Sequence, residues 1–233
     1  MKFNMSSLLI VCTALFAISC QNKGTESQTS ETQPFETVST TAGADQVFHV
    51  VPSASQIHWE GYKPAMGVTH TGKVNISEGN LSIKDGMIIG GSFVIDFTTI
   101  QDTDLTGDTK AKLEAHLKGT TAGKEDDFFN VNKYPTGKFE ITKVTAIEGD
   151  ADANTLIYGN LTIKDVTKNV GFKSNVQIDN ATLTATTPLF TLDRTEWGIK
   201  VLSKKFFDNL KDGFVSDEFG MRIELRADTG RDI

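Results

Sequence analysis

From Val47 onward, apolar and polar residues alternate with a period of two in short runs. Ile157, Gly159, Leu161 and Ile163 alternate with Tyr158, Asn160, Thr162 and Lys164. Val170, Phe172, Ser174, Val176 and Ile178 repeat the pattern, as do Met221, Ile223, Leu225 and Ala227 against Arg222, Glu224 and Arg226. This alternation predicts strands with one buried and one wet face. Gly79-Asn80, Asp85-Gly86, Gly149-Asp150 and Asp179-Asn180 fall between runs as turn signals. Strands joined by short turns form an antiparallel meander, and closing it into a barrel removes the exposed edges. The expected class is therefore all-β, an antiparallel barrel of about eight strands. One stretch breaks the period: Leu113 and Leu117 lie four apart within Lys110 to Lys118, Asp108 or Thr109 can cap it, and Gly119 ends it. It predicts one short helix over a barrel mouth or edge. No internal repeat or second domain is visible.

The first residues read differently. Lys2 gives a positive start, Leu8 to Ile18 is a short apolar run, and Ala17-Ile18-Ser19 leads into Cys20. The run is too short to span a bilayer and suits an export signal. The pattern resembles the bacterial lipoprotein signal, in which the cysteine is lipidated and becomes the new N-terminus. Residues 1–19 are thus expected to be a signal peptide and Cys20 the lipid attachment site of an exported, envelope-anchored, periplasm-facing protein. Cys12 would leave with the signal and Cys20 be consumed by lipid, so no disulfide is expected. Gln21 to Gln46 is rich in Thr, Ser, Gln and Glu, too polar to offset its ordering entropy. Residues 20–46 are expected to be a disordered tether spanning about 28 Å as a coil, with the folded domain at 47–228.

Net charge is −7 and the sequence pI about 5.1. This argues against nucleic acid as a partner, because phosphate contacts need clustered Lys and Arg. Gly67 to Lys73 has the spacing of a phosphate loop, but Val74 stands where a magnesium-binding Ser or Thr is needed, and Val74 with Ile76 reads as strand where a helix should open. The four histidines, His49, His58, His70 and His116, lack metal-ligand spacing, so no metal site is expected. Acidic pairs such as Asp102/Asp104 and Asp126-Asp127 read as solvated loop charge, and no G-x-S-x-G elbow occurs. No catalytic residue and no cofactor are expected. The Asn-x-Ser/Thr triplets beginning at Asn75, Asn80, Asn160 and Asn180 read as ordinary strand polar residues.

The aromatic set is more informative: 15 Phe against 3 Tyr and 2 Trp. Phe93, Ile95 and Phe97 share one strand face, and Phe139 and Ile141 another. An eight-stranded barrel either fills itself with side chains or holds one small ligand. Strand parity makes Phe93, Ile95, Phe97, Phe139, Ile141, Leu161, Ile163, Phe172 and Ile223 the expected cavity wall. The doublets Phe128-Phe129 and Phe206-Phe207 lie in less regular stretches and suit an apolar portal or lid, with Phe128 and Phe129 the expected lid. His70 and Arg194 are the candidates to meet a headgroup near the mouth.

At these residues the chain resembles the YceI-like family of exported polyisoprenoid-binding proteins. Five ordered blocks carry the resemblance: Ser55 to Gly61 with His70-Thr-Gly72; Gly90 to Phe97; Leu113 to Lys118 with Asp127 to Val131, Lys133-Tyr134-Pro135 and Phe139; Gly159 to Lys168; and Asp193 to Ile199 with Asp217. The resemblance implies an extended, lipocalin-like antiparallel β-barrel that binds an isoprenoid, a quinone or a similar long apolar lipid, without catalysis. Gly119 to Glu125 lengthens the link before Phe128, which bears on which ligand enters, and Asp165 stands where the family often has glycine. The other reading is a packed barrel acting as an interaction or structural protein. Monomer and homodimer both remain open.

Overall fold

The computed structural model describes residues 28–30, 32–34, 36 and 43–230. Residues 1–19 and Cys20 lie outside them. The described strands are β1 (Gln28–Thr29), β2 (Thr32–Gln33), β3 (Gln46–Val50), β4 (Gln56–Lys63), β5 (Val68–Lys84), β6 (Met87–Asp102), β7 (Thr136–Ala146), β8 (Thr155–Ile163), β9 (Val166–Asp179), β10 (Thr182–Thr186), β11 (Phe190–Asp193) and β12 (Glu218–Asp228). One α-helix, α1 (Gly107–Lys118), interrupts them. From β4 to β10 each strand pairs antiparallel with the next, and β6 and β7 do so across the long connection that holds α1. β10 pairs with β12, and β12 with β4 from Phe219↔Gly61 to Glu224↔Gln56, which closes a ring of eight strands. This is the antiparallel barrel the alternation anticipates, in the lipocalin-like form the resemblance implies.

Two hairpin turns show what their residues contribute. Asp85 and Gly86 both have positive φ, 49° and 74°, the conformation that matches strand twist in a two-residue turn. Lys164 and Asp165 do the same at 49° and 60°, so Asp165 occupies a left-handed position that glycine would fill without strain. Gly79-Asn80, in contrast, makes no turn. It lies inside the 17-residue β5, just after a register shift between Ile76 and Glu78. A Cβ on Gly79 would collide with Phe93 and the Ser92 carbonyl, so this glycine serves close strand approach at a bulge.

α1 begins at Gly107 with Thr106 as N-cap, earlier than the expected Lys110. Gly119, at φ 70°, ends it, and its N–H caps the Ala115 and His116 carbonyls.

The expectation of a wholly disordered tether needs correction. β1 pairs parallel with β11, and β2 pairs antiparallel with the first half of β9. That half of β9 has no partner in β10, whose ladder covers Asn175 to Asp179. The N-terminal segment therefore fills the seam between β9 and β11. Backbone pairing and side-chain bonds hold it: the Ser30 hydroxyl donates to the Gly171 carbonyl at 2.5 Å, and the Asn160 amide donates to the Glu36 carbonyl at 2.6 Å and accepts from the Glu36 N–H at 3.1 Å. Asn160 and Asn169 are buried because this strap covers them, and Asn169 donates to both Asn160 and Thr142.

Candidate functional site

The inward-facing residues form one continuous core from Phe48 to Ala227, but they do not fill the barrel evenly. At the end carrying α1 and the 194–217 connection lies a cavity of about 130 Å³. Ile95, Phe97, Leu161 and Ile163 line it from the strands, and Phe128 and Phe129 cover it beside Leu117 of α1. Its wall also includes Ile57, Trp59, Val74, Ile100, Trp197, Ile199, Val215, Phe219 and Met221. Sequence parity reaches Ile57, Val74 and Met221 as readily as Ile95. Trp197 and Val215 lie in irregular chain, where no period assigns a side.

The lid is fastened. The Phe129 N–H donates to the Leu117 carbonyl and the Val131 N–H to that of Lys118. The Phe129 ring packs on Phe97 with centroids 4.6 Å apart. His116 Nε2 lies 2.7 Å from Asp127 Oδ2, and its ring meets Phe128 edge-on.

Deeper in the barrel the space narrows to voids of about 10 and 30 Å³. Phe93, Phe139, Ile141, Phe172 and Ile223 face inward here, lining these voids and not the main cavity. Ring contacts run Phe93 to Phe139 at 5.2 Å, Phe139 to Phe172 at 5.4 Å and Phe172 to Phe190 at 4.9 Å. The stack forms a waist, and Gly159 makes it possible, since a Cβ there would enter the Phe139 ring. A wider groove of about 580 Å³ near the β5–β6 hairpin is bordered by Thr142, Lys143 and Asn154 as well as apolar residues, and lacks an apolar enclosure.

Two headgroup candidates are placed otherwise. His70 does not line the cavity; its Nδ1 lies 3.0 Å from Asp104 Oδ2 beside the β5–β6 ladder. Arg194 does line it, but its guanidinium is spent on protein carbonyls. Nε donates to Ser216, Nη1 to Ile199 and Nη2 to Val215, with Asp217 at 3.5 Å. Burial pushes its pKa down, against the pull of Asp217 and Asp193. Arg194 thus staples the two ends of the 194–217 connection. The polar groups at the mouth are instead Glu60, Tyr62, Ser216 and Glu218. The Tyr62 hydroxyl donates to Glu60 at 3.0 Å, and burial with that carboxylate pushes its pKa up to about 12.

The acidic residues are not all solvated loop charge. Asp102 is fully buried at the end of β6. It accepts from the Leu105 N–H through Oδ1, while its own N–H donates to Glu114 and Lys110 donates to its carbonyl. Burial is the main influence holding the Asp102 pKa above the usual range, and the Asp104 carboxyl adds to it. Burial also acts to raise Asp104, but hydrogen bonds from the Thr71 N–H and His70 outweigh it and hold that carboxyl low.

An antiparallel ring of eight strands with an apolar, lidded cavity at one end is a β-barrel of lipocalin type. The profile of the YceI-like domain matches residues 48–227, and the chain belongs to that family. A comparison with curated proteins found no match. Among solved structures, Burkholderia cenocepacia BcnA is similar with a TM-score of 0.55 at 21% identity, covering 76% of this chain and 98% of that one. A polyisoprenoid-binding domain from Saccharophagus degradans, implicated in plant cell wall breakdown, gives 0.56 at 13% identity, covering 78% and 98%. At these identities the likeness concerns the fold.

Proposed function

We propose that the chain binds a long apolar lipid of isoprenoid or quinone type in the barrel, as an envelope protein held on its membrane by acylated Cys20. The observation that carries this reading is the lidded cavity, whose lining is almost wholly apolar. A hydrocarbon chain entering it loses water contact at roughly 25 cal/mol per Å² and demands no hydrogen bonds. The likeness to a polyisoprenoid-binding domain supports the same class. The mouth narrows the headgroup: Glu60 and Glu218 are carboxylates and Arg194 is engaged, so a neutral carbonyl or hydroxyl fits better than a phosphate.

The aromatic waist favours a second reading, a packed barrel that carries nothing, because the cavity is smaller than the roughly 300–1,000 Å³ of usual ligand pockets. Native mass spectrometry on the chain exported by a bacterial host and purified without detergent separates the two. The expected result is a stoichiometric adduct that organic extraction identifies as an isoprenoid. A bare protein mass that stays bare after incubation with quinones and polyprenyl alcohols would establish the packed barrel.

A further inference from the structure

The start of β5, the end of β6 and the turn leading to α1 bring together three ligand-type side chains. His70 Nδ1, a carboxylate oxygen of Asp104 and one of Asp102 all lie within 4.8 Å of one another. The two closest, His70 Nδ1 and Asp104 Oδ2, are 3.0 Å apart. Zn–N and Zn–O bonds of about 2.0–2.2 Å place neighbouring ligands at about this separation.

Asp102 supplies the second observation. The residue is 0% exposed, and while Oδ1 accepts from the Leu105 N–H, Oδ2 is buried with no hydrogen-bond partner. The neighbouring polar group is the Asp104 carboxylate, whose Oδ1 is already occupied by the Thr71 N–H. An acceptor thus faces an acceptor, with the Asp102 side closed to water. Such a pair persists only with something positive between its members, a proton or a metal ion. Lys110 does not fill that place: its ammonium reaches the Asp102 backbone carbonyl and the Glu114 carboxylate, which neutralises it at 3.1 Å.

We propose that His70, Asp102 and Asp104 form a divalent transition-metal site. One imidazole nitrogen with two carboxylates suits zinc or manganese better than calcium, which takes oxygen ligands alone. His70 and Asp104 remain 20% and 30% exposed, so the ion has an entry path and positions left for water. Its role is structural. The ion cross-braces β5 to β6 at the residue whose backbone holds Lys110 and Glu114 of α1, and α1 carries Leu117 of the lid. The site is independent of which lipid the barrel holds.

The test uses the full-length chain, stripped with chelator and titrated with Zn²⁺ alone at pH 7 by calorimetry and thermal melting, with Ca²⁺ as a parallel arm. One Zn²⁺ is expected to bind and raise Tm, with Ca²⁺ at least tenfold weaker. His70→Gln and Asp102→Asn each should weaken Zn²⁺ at least tenfold, whereas His58→Gln, at the separate pair with Glu224, should not. Asp102→Asn also distinguishes the proton: its amide can donate to Asp104 as a shared proton would. A variant as stable as the parent, in a protein whose Tm ignores Zn²⁺, overturns the proposal. So does Zn²⁺ binding that survives both substitutions. His70→Gln, at a partly exposed side chain, keeps the test decisive if the buried substitution fails to fold.

Discussion

Phe93 shows how one side chain sets what the barrel can hold. Its ring begins the stack that continues through Phe139, Phe172 and Phe190, and it borders both deep voids. Each ring contact adds about 0.5–1.5 kcal/mol beyond area burial, so the waist favours the closed arrangement that a long ligand would have to displace. Phe93→Leu keeps an apolar residue of nearly suitable volume and should cost about 1.5 kcal/mol in denaturant unfolding. The same change should connect the upper cavity with the voids. Affinity is then expected to rise several-fold for long isoprenoids and to change little for short ones, read by competition between chains of different length. Equal affinity gains for all lengths would mean that the waist does not limit depth.

At the scale of elements, the 194–217 connection borders the mouth and is held by charged contacts at its base. Arg194 joins its two ends, and Lys205 pairs with Asp193 at 2.5 Å. Burial would raise the Asp193 pKa, but hydrogen bonds from Lys205 and from the Thr195 hydroxyl and N–H outweigh it and hold the carboxyl low. A carboxylate with a lowered folded-state pKa contributes stability that is complete above its unfolded value of about 3.9 and lost as pH falls through the folded one. Amide exchange in residues 200–214, corrected for its intrinsic pH dependence, should therefore quicken below about pH 4. Lys205→Met should show the quickened exchange already at neutral pH. Phe206 and Phe207 stand 47% and 49% exposed on this connection, in keeping with a place outside the barrel core.

The legibility of the elements follows the same division. Strand alternation was readable because a barrel wall has a dry side and a wet side, and period two reports both. Inward parity for Ile95, Phe97, Leu161 and Ile163 followed from that alone. The roles of His70 and Arg194 did not, because each depends on partners that only the fold brings together: Asp104 in one case, the Ile199, Val215 and Ser216 carbonyls in the other. The burial of Asp102 was hidden for the same reason. Its neighbours Gln101 and Thr103 are polar and exposed, and only the packing of α1 against the end of β6 makes the residue between them dry.

At the scale of the whole molecule, the sheet is complete only with its N-terminal strap. Composition could not announce this, because the paired residues, Gln28-Thr29 and Thr32-Gln33, are polar and join the sheet through their backbone. Asn160→Ala removes both bonds to Glu36 and leaves Asn169 with one acceptor fewer. The expected cost is about 1–3 kcal/mol, with protease cleavage before residue 43 appearing well ahead of cleavage in the barrel. Cleavage of both at the same rate would show that the strap is part of the global folding unit. The strap also bears on the reach the protein would have if Cys20 is acylated as proposed. A chain free from Cys20 to Gln46 could extend by about 90 Å, but with Gln28 fixed in the sheet the slack from Cys20 is at most about 28 Å. On so short a leash, a barrel that carries lipid as proposed would trade it with the leaflet holding the acyl chains of Cys20, and a bilayer facing it across a wide gap would lie out of range.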